Sequence, residues 1–173
     1  MSFQVKKIAD VGTENPVVAR LSYQWFEIFR WFDLPPTRRN TVLEILFEKV
    51  QPRLLECQRI SQSLRADIAA AGAKGVIRLD GPHHYEVPAV PRLKERVEDY
   101  LSDAKLALRD FAGIFAPLLQ RDAPPANFAA MAKWSEKSFG DSDPLTRRLQ
   151  TANDEWIRRL CNMRDAIEHP EGK

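Results

Sequence analysis

The densest run of chemically capable side chains lies near the C-terminus: Asn162-Met163-Arg164-Asp165-Ala166-Ile167-Glu168-His169-Pro170. It places a permanent cation, a carboxylate and an imidazole within a turn and a half of the helix that the surrounding apolar spacing predicts. At about 100° and 1.5 Å per residue, Asp165 and His169 lie about 40° apart on one face, so the carboxylate can hold the imidazole. Arg164 stands about 140° around and about 7.5 Å along from His169. The two do not meet directly, but a long guanidinium can reach a phosphate that the imidazole also approaches, above all where two copies of this helix come together. Pro170 ends the helix, leaving His169 at a surface edge. A plainer arrangement stays open: Arg164 and Glu168 as an exposed ion pair four residues apart, worth about 0.3 kcal/mol, with His169 as a cap.

Elsewhere the sequence holds no Gly-rich phosphate loop, no Cys-x-x-Cys pair, no His-Glu-x-x-His and no nucleophile elbow, which disfavours most standard enzyme classes. His83-His84-Tyr85 can bind a metal or stack on a base, but adjacent histidines on a strand point to opposite faces, so loop decoration is the simpler reading. Arg38-Arg39-Asn40, Arg147-Arg148 and Arg158-Arg159 are solvated faces or phosphate contacts, and Arg158 precedes Arg164 by six residues on the same helix. Cys57 and Cys161 each fall among apolar helical residues and read as small core side chains.

The elements that must position these groups are helices, because apolar residues recur by three or four almost everywhere. Pro16 to Phe32 forms one helix, stopped by Pro35-Pro36. A second starts at Pro36 or Thr37 and reaches Gly72, with Pro52 expected to kink or split it near Val50. Pro91 to Leu119 reads as one continuous helix. A shorter one spans about Asn127 to Phe139, ending at Gly140. The last runs from Pro144 to Glu168 on the stripe Leu145, Leu149, Ala152, Trp156, Leu160, Met163 and Ile167, with Asp143 as cap. Between Gly75 and Val87, two β-rich runs flank Asp80-Gly81-Pro82 and predict a short hairpin, over about residues 75–88. The fold class is therefore all-α: an antiparallel bundle of four to five helices with one β-hairpin insertion, in a single domain over residues 1–173. Tyr23, Trp25, Phe26, Phe29, Trp31 and Phe32 spread widely around the first helix, which predicts a central helix, or one shared between core and a dimer interface.

In this all-helical setting, Arg164-Asp165-Ala166-Ile167-Glu168-His169 resembles the signature of the HEPN superfamily: an arginine, a small polar residue, and a histidine near the end of the last helix. The resemblance covers the helical layout of most of the chain, and its specific part is this hexamer. It implies a homodimer in which Arg164 and His169 are the catalytic pair and Asp165 is the polar residue beside the arginine, with one copy from each protomer lining a shared cleft. It also implies metal-independent RNA endonuclease activity in a prokaryotic toxin-antitoxin or antiviral defence setting, needing no cofactor and open to a protein regulator. Arg158 and Arg159 would add RNA contacts. Many toxin-type members carry a tyrosine two residues beyond the histidine, where this chain has Glu171. The alternative within the same fold is a non-catalytic dimerisation or protein-interaction module.

Composition sets the outer bounds. The 173 residues are 44% hydrophobic and 29% charged, enough to bury one core and far from disordered or low-complexity chains. The formal charge is only +2, and splitting the chain after Tyr85 gives +3 and −1, so any nucleic-acid contact must be local. No stretch reaches the apolar length of a membrane span, and the start carries Lys6 and Lys7 without a following apolar run, which predicts a cytoplasmic protein with no membrane partner.

Overall fold

The computed structural model describes residues 10–74, 89–121 and 127–169, together with the backbone of 77–78 and 85–86. Local chemistry sets the first element, α1 (Pro16–Trp31). Asn15 Oδ1 accepts the Val17 amide, Pro16 occupies the first turn, and the chain leaves the helix before Pro35-Pro36. α2 (Pro36–Leu43) then begins on a proline and runs through a π-helical turn, Glu44–Val50, into α3 (Gln51–Ala73). Pro52 therefore does not break the chain's helical course. A proline ring crowds the carbonyl four residues back and offers no amide hydrogen; the widened turn just before it, in which Gln51 N–H bonds to Leu46 O, accommodates both.

Between α3 and α4 (Leu93–Ala112), the described backbone pairs only Ile77 with Glu86 and Arg78 with Tyr85, antiparallel. Two residues on each side fall short of the hairpin insertion expected from the sequence, and Asp80-Gly81-Pro82 lies outside the described residues. The expected single helix from Pro91 to Leu119 is also divided. At Gly113 the chain tightens, with its amide bonding to Asp110 O at 3.0 Å, before α5 (Phe115–Leu119). A Cβ at Gly113 would come within 3.0 Å of Asp110 O and 3.5 Å of Ile45 Cδ1, so the missing side chain lets this turn sit against the π turn. α6 (Phe128–Phe139) is capped by Asn127 and ends at Gly140 with φ 91°. α7 (Pro144–Ala152), capped by Asp143, continues through a second π turn, Asn153–Ile157, into α8 (Arg158–Glu168). Among the described residues the long helical rods are thus five, forming an all-α helical bundle.

Polar contacts give the direction of the neighbours. Arg53 near the start of α3 reaches Asp103 (3.3 Å) and Asp110 (2.9 Å), whereas Asp67 and Ser63 near its end take Arg96 (2.6 and 2.7 Å). Rising numbers on α3 meet falling numbers on α4, so the two are antiparallel. One buried cluster joins Val42, Ile45, Leu46 and Val50 to Phe115 and Leu118 and to Met131 and Leu149. Within it, the fully buried Ser135 and Thr146 hydroxyls satisfy each other at 2.8 Å and tie α6 to α7. The first helix is not central: only Val18 and Leu21 are buried, Trp25, Phe29 and Phe32 lean on the core, and Tyr23, Phe26 and Trp31 face solvent. No described helix is long and apolar enough to cross a membrane.

The α3–α4 contact gives a pH dependence. Partial burial works to raise the Asp110 carboxyl, but hydrogen bonds from Arg53 and Arg109 outweigh it and hold the group below the ordinary carboxylate range. A value lowered on folding adds stability that is complete above the unfolded value of about 3.9 and is lost as pH falls through the folded one. Urea midpoints should therefore drop on acidification below about pH 4, and drop less steeply in Asp110→Asn. An unchanged acid slope in that variant would remove Asp110 from the explanation.

Candidate functional site: a basic cleft between α4 and α8

The second π turn controls what α8 presents. On an unbroken helix, the stripe through Leu149 would continue to Trp156 and Met163. The extra residue in the wide turn advances the register, so Trp156 (48% exposed) and Met163 (56%) rotate into solvent and Ile157 (1%) takes the inward position. Cys161 and Arg164 follow Ile157 at helical spacing and share its side of the helix, half-buried against α4. The resulting cleft of about 660 Å³ lies between α4, α8 and the start of α6.

Four cations line this cleft, Lys105 and Arg109 from α4 and Arg158 and Arg164 from α8, against one carboxylate, Asp165. Lys105 Nζ donates to Asp165 Oδ1 at 2.7 Å, which joins the two helices. That hydrogen bond is the chief reason the Asp165 carboxyl sits below its ordinary value, with Arg164 and His169 adding smaller attractions. Arg164 Nη1 pairs with Glu168 on the next turn and lies 3.8 Å from Asp165 Oδ1. Arg109 pairs with Asp110 at 3.0 Å, and Arg158 approaches Asp154 at 3.8 Å.

Of the residues expected to act, Arg164, Asp165 and Arg158 therefore meet in one cleft. His169 does not line it. It caps α8, its amide bonding to Asp165 O at 2.9 Å, and its imidazole is exposed without a hydrogen bond or ion pair among the described residues. Asp165 is thus joined to Lys105 through its side chain and to His169 through its backbone, rather than gripping the imidazole. Arg159 is exposed outside the cleft. His83 and His84 lie outside the described residues. Lys105 and Arg109 carry no sequence signal beyond their spacing of four on one helix, and only the packing of α4 on α8 brings them to the site.

The cysteines divide. Cys57 is buried, its thiol directed at Tyr100 O at 3.7 Å, and burial pushes it up to about 11. Cys161 lines the cleft rather than the core; partial burial raises its thiol against the opposing influence of Lys105. At pH 8 a maleimide should label Cys161 in the native protein and reach Cys57 only in denaturant. Equal native rates at both would contradict this placement. Among the described residues no group of three or more His, Cys, Asp or Glu side chains is placed to hold a metal ion.

Neither a protein family, nor a curated protein, nor a solved structure matches this chain.

Proposed function

We propose that the protein is a metal-independent endoribonuclease of the prokaryotic toxin or defence type, working in the cytoplasm as a homodimer with a composite site built from Arg164 and His169 of both copies. The observation that carries this reading is the exposed imidazole of His169 at the end of α8, without a hydrogen bond or ion pair among the described residues and a turn and a half beyond a partly sheltered arginine. In the reaction, a ribose 2′-oxygen attacks the adjacent phosphorus and loses its proton to a base, while the P–O5′ bond breaks and the 5′-oxygen takes a proton from an acid. His169 serves one of these proton transfers and Arg164 stabilises charge on the phosphoryl oxygens. Because Arg164 and His169 diverge on one helix, their convergence on a phosphate belongs to the paired chains, with Arg158 and Arg159 meeting the flanking RNA.

A mixed-sequence RNA incubated with the purified protein in excess EDTA tests this directly. Cleavage that disappears in both His169→Ala and Arg164→Ala, with the helical spectrum unchanged, supports the reading; cleavage that survives both overturns it.

A second reading has its own observation. Arg164 is already engaged by Glu168 and Asp165, and the second π turn and α8 expose Trp156 and Met163, which suits a non-catalytic dimerisation or protein-interaction helix. A folded dimer that cuts no RNA, and loses self-association in Trp156→Ala/Met163→Ala, would favour this reading over the nuclease.

A further inference from the structure

We infer that the recess where the first turn of α2 meets the ends of α5 and α6 is a binding site for a small organic acid, a carboxylate carried on a flat apolar body. The recess holds about 610 Å³ and is lined by Arg38, Ala116, Gln120, Arg121, Trp134 and Ser138, none of which lines the cleft between α4 and α8. Two cations therefore face it, with no carboxylate among the described lining residues. Of the adjacent arginines on α2, Arg39 lies over the Phe29 ring, whereas Arg38 is half-buried and its Nη1 is shut off from solvent without a hydrogen-bond partner. A sheltered charged donor left without an acceptor costs free energy, and an acid oxygen entering the recess removes that cost by drawing the guanidinium into a charge-assisted bond. Arg121 stands ready beside it. Its guanidinium lies 4.6 Å from the Phe139 ring centroid and donates through Nη1 to Ser138 O at 3.2 Å, which leaves N–H groups over for a ligand.

The surroundings select among anions. Gln120 caps the C-terminus of α5 and Ser138 lies in the last turn of α6, so the carbonyl ends of two helices temper the field of the two arginines. A single negative charge suits that balance better than the nearly double charge of a phosphate monoester. The planar fork of a guanidinium matches the two oxygens of a carboxylate. Trp134, set edge to face against Phe139 with ring centroids 5.7 Å apart, joins Ala116 in offering apolar surface to the body of the acid. The volume is that of a small-molecule site.

Benzoate is the probe, followed through the indole N–H resonance of Trp134, which is identified by its loss in Trp134→Phe. Benzamide, acetate and inorganic phosphate are titrated alongside at constant ionic strength. Benzoate should shift the resonance saturably and bind about tenfold more tightly than any of the three. Arg38→Met should weaken benzoate binding by about tenfold or more yet leave the thermal midpoint unchanged or raised, because it keeps an unbranched stem and removes a donor that has no partner. Arg121→Gln should weaken binding to a similar degree, whereas Arg147→Gln, the same loss of charge on α7, should leave it unchanged. Benzamide, acetate or phosphate binding as tightly as benzoate would overturn the assignment. So would the absence of a saturable shift, or binding indifferent to Arg38→Met. A midpoint lowered in Arg38→Met by more than about 3 °C would make the guanidinium a structural partner and overturn it equally. None of these outcomes bears on RNA cleavage, because the recess contains neither Arg164 nor His169.

Discussion

Replacing Ile157 by alanine is expected to lower stability by about 2–5 kcal/mol and the thermal midpoint by roughly 5–15 °C. Ile157 is 1% exposed and closes the second π turn, and it also lines the cleft. Removing three carbons there leaves a cavity at the point where α7 hands over to α8. Ile157→Val, which loses a single methylene, should cost only about 1 kcal/mol. Thermal and urea unfolding of both variants checks this. A midpoint for Ile157→Ala within about 2 °C of wild type would mean that the side chain is not packed as described, and would undercut the register shift that points Arg164 inward.

The catalytic reading makes the second large prediction. His169→Ala should slow RNA cleavage by at least about 100-fold, the usual scale for removing a positioned proton-transfer group. Arg164→Lys should fall well short of wild type, because an ammonium keeps the charge but loses the planar fork that meets two phosphoryl oxygens. The structure adds a sharper expectation. Glu168 competes with the phosphate for the Arg164 guanidinium, so Glu168→Gln should raise cleavage at subsaturating RNA by several-fold. Steady-state rates of the three variants read this out. A Glu168→Gln enzyme slower than wild type would assign Glu168 a supporting role and reverse the competition argument.

What the sequence revealed and what it concealed divide along a physical line. Pro16, Gly140 and Asp143-Pro144 mark helix ends correctly because caps and prolines act through contacts within a few residues. Pro52 marks a departure from α-helical geometry near Val50, but its form, the π turn Glu44–Val50 packed through Ile45, Leu46 and Val50, is not legible locally. The same cause hides the true face of the last helix. Counting by 3.6 residues puts Trp156 and Met163 inside, and one extra residue in the Asn153–Ile157 turn reverses this. The polar hexamer at the C-terminus was legible, including its Arg164–Glu168 pair. Its pairing with Lys105 was not, since nothing local links residues sixty positions apart. Nor could spacing alone tell that Asp165 would turn towards α4 rather than hold His169.

The claim at the centre of this account is that His169 and Arg164 assist attack by a ribose 2′-hydroxyl. The most direct measurement is the identity of the ends produced when the wild-type protein is incubated with RNA in excess EDTA, read by mass spectrometry. The account predicts 2′,3′-cyclic phosphate and 5′-hydroxyl ends, with no cutting where the scissile residue is 2′-deoxy. Fragments bearing 3′-hydroxyl and 5′-phosphate ends, or intact RNA after incubation with a folded dimer, would contradict it.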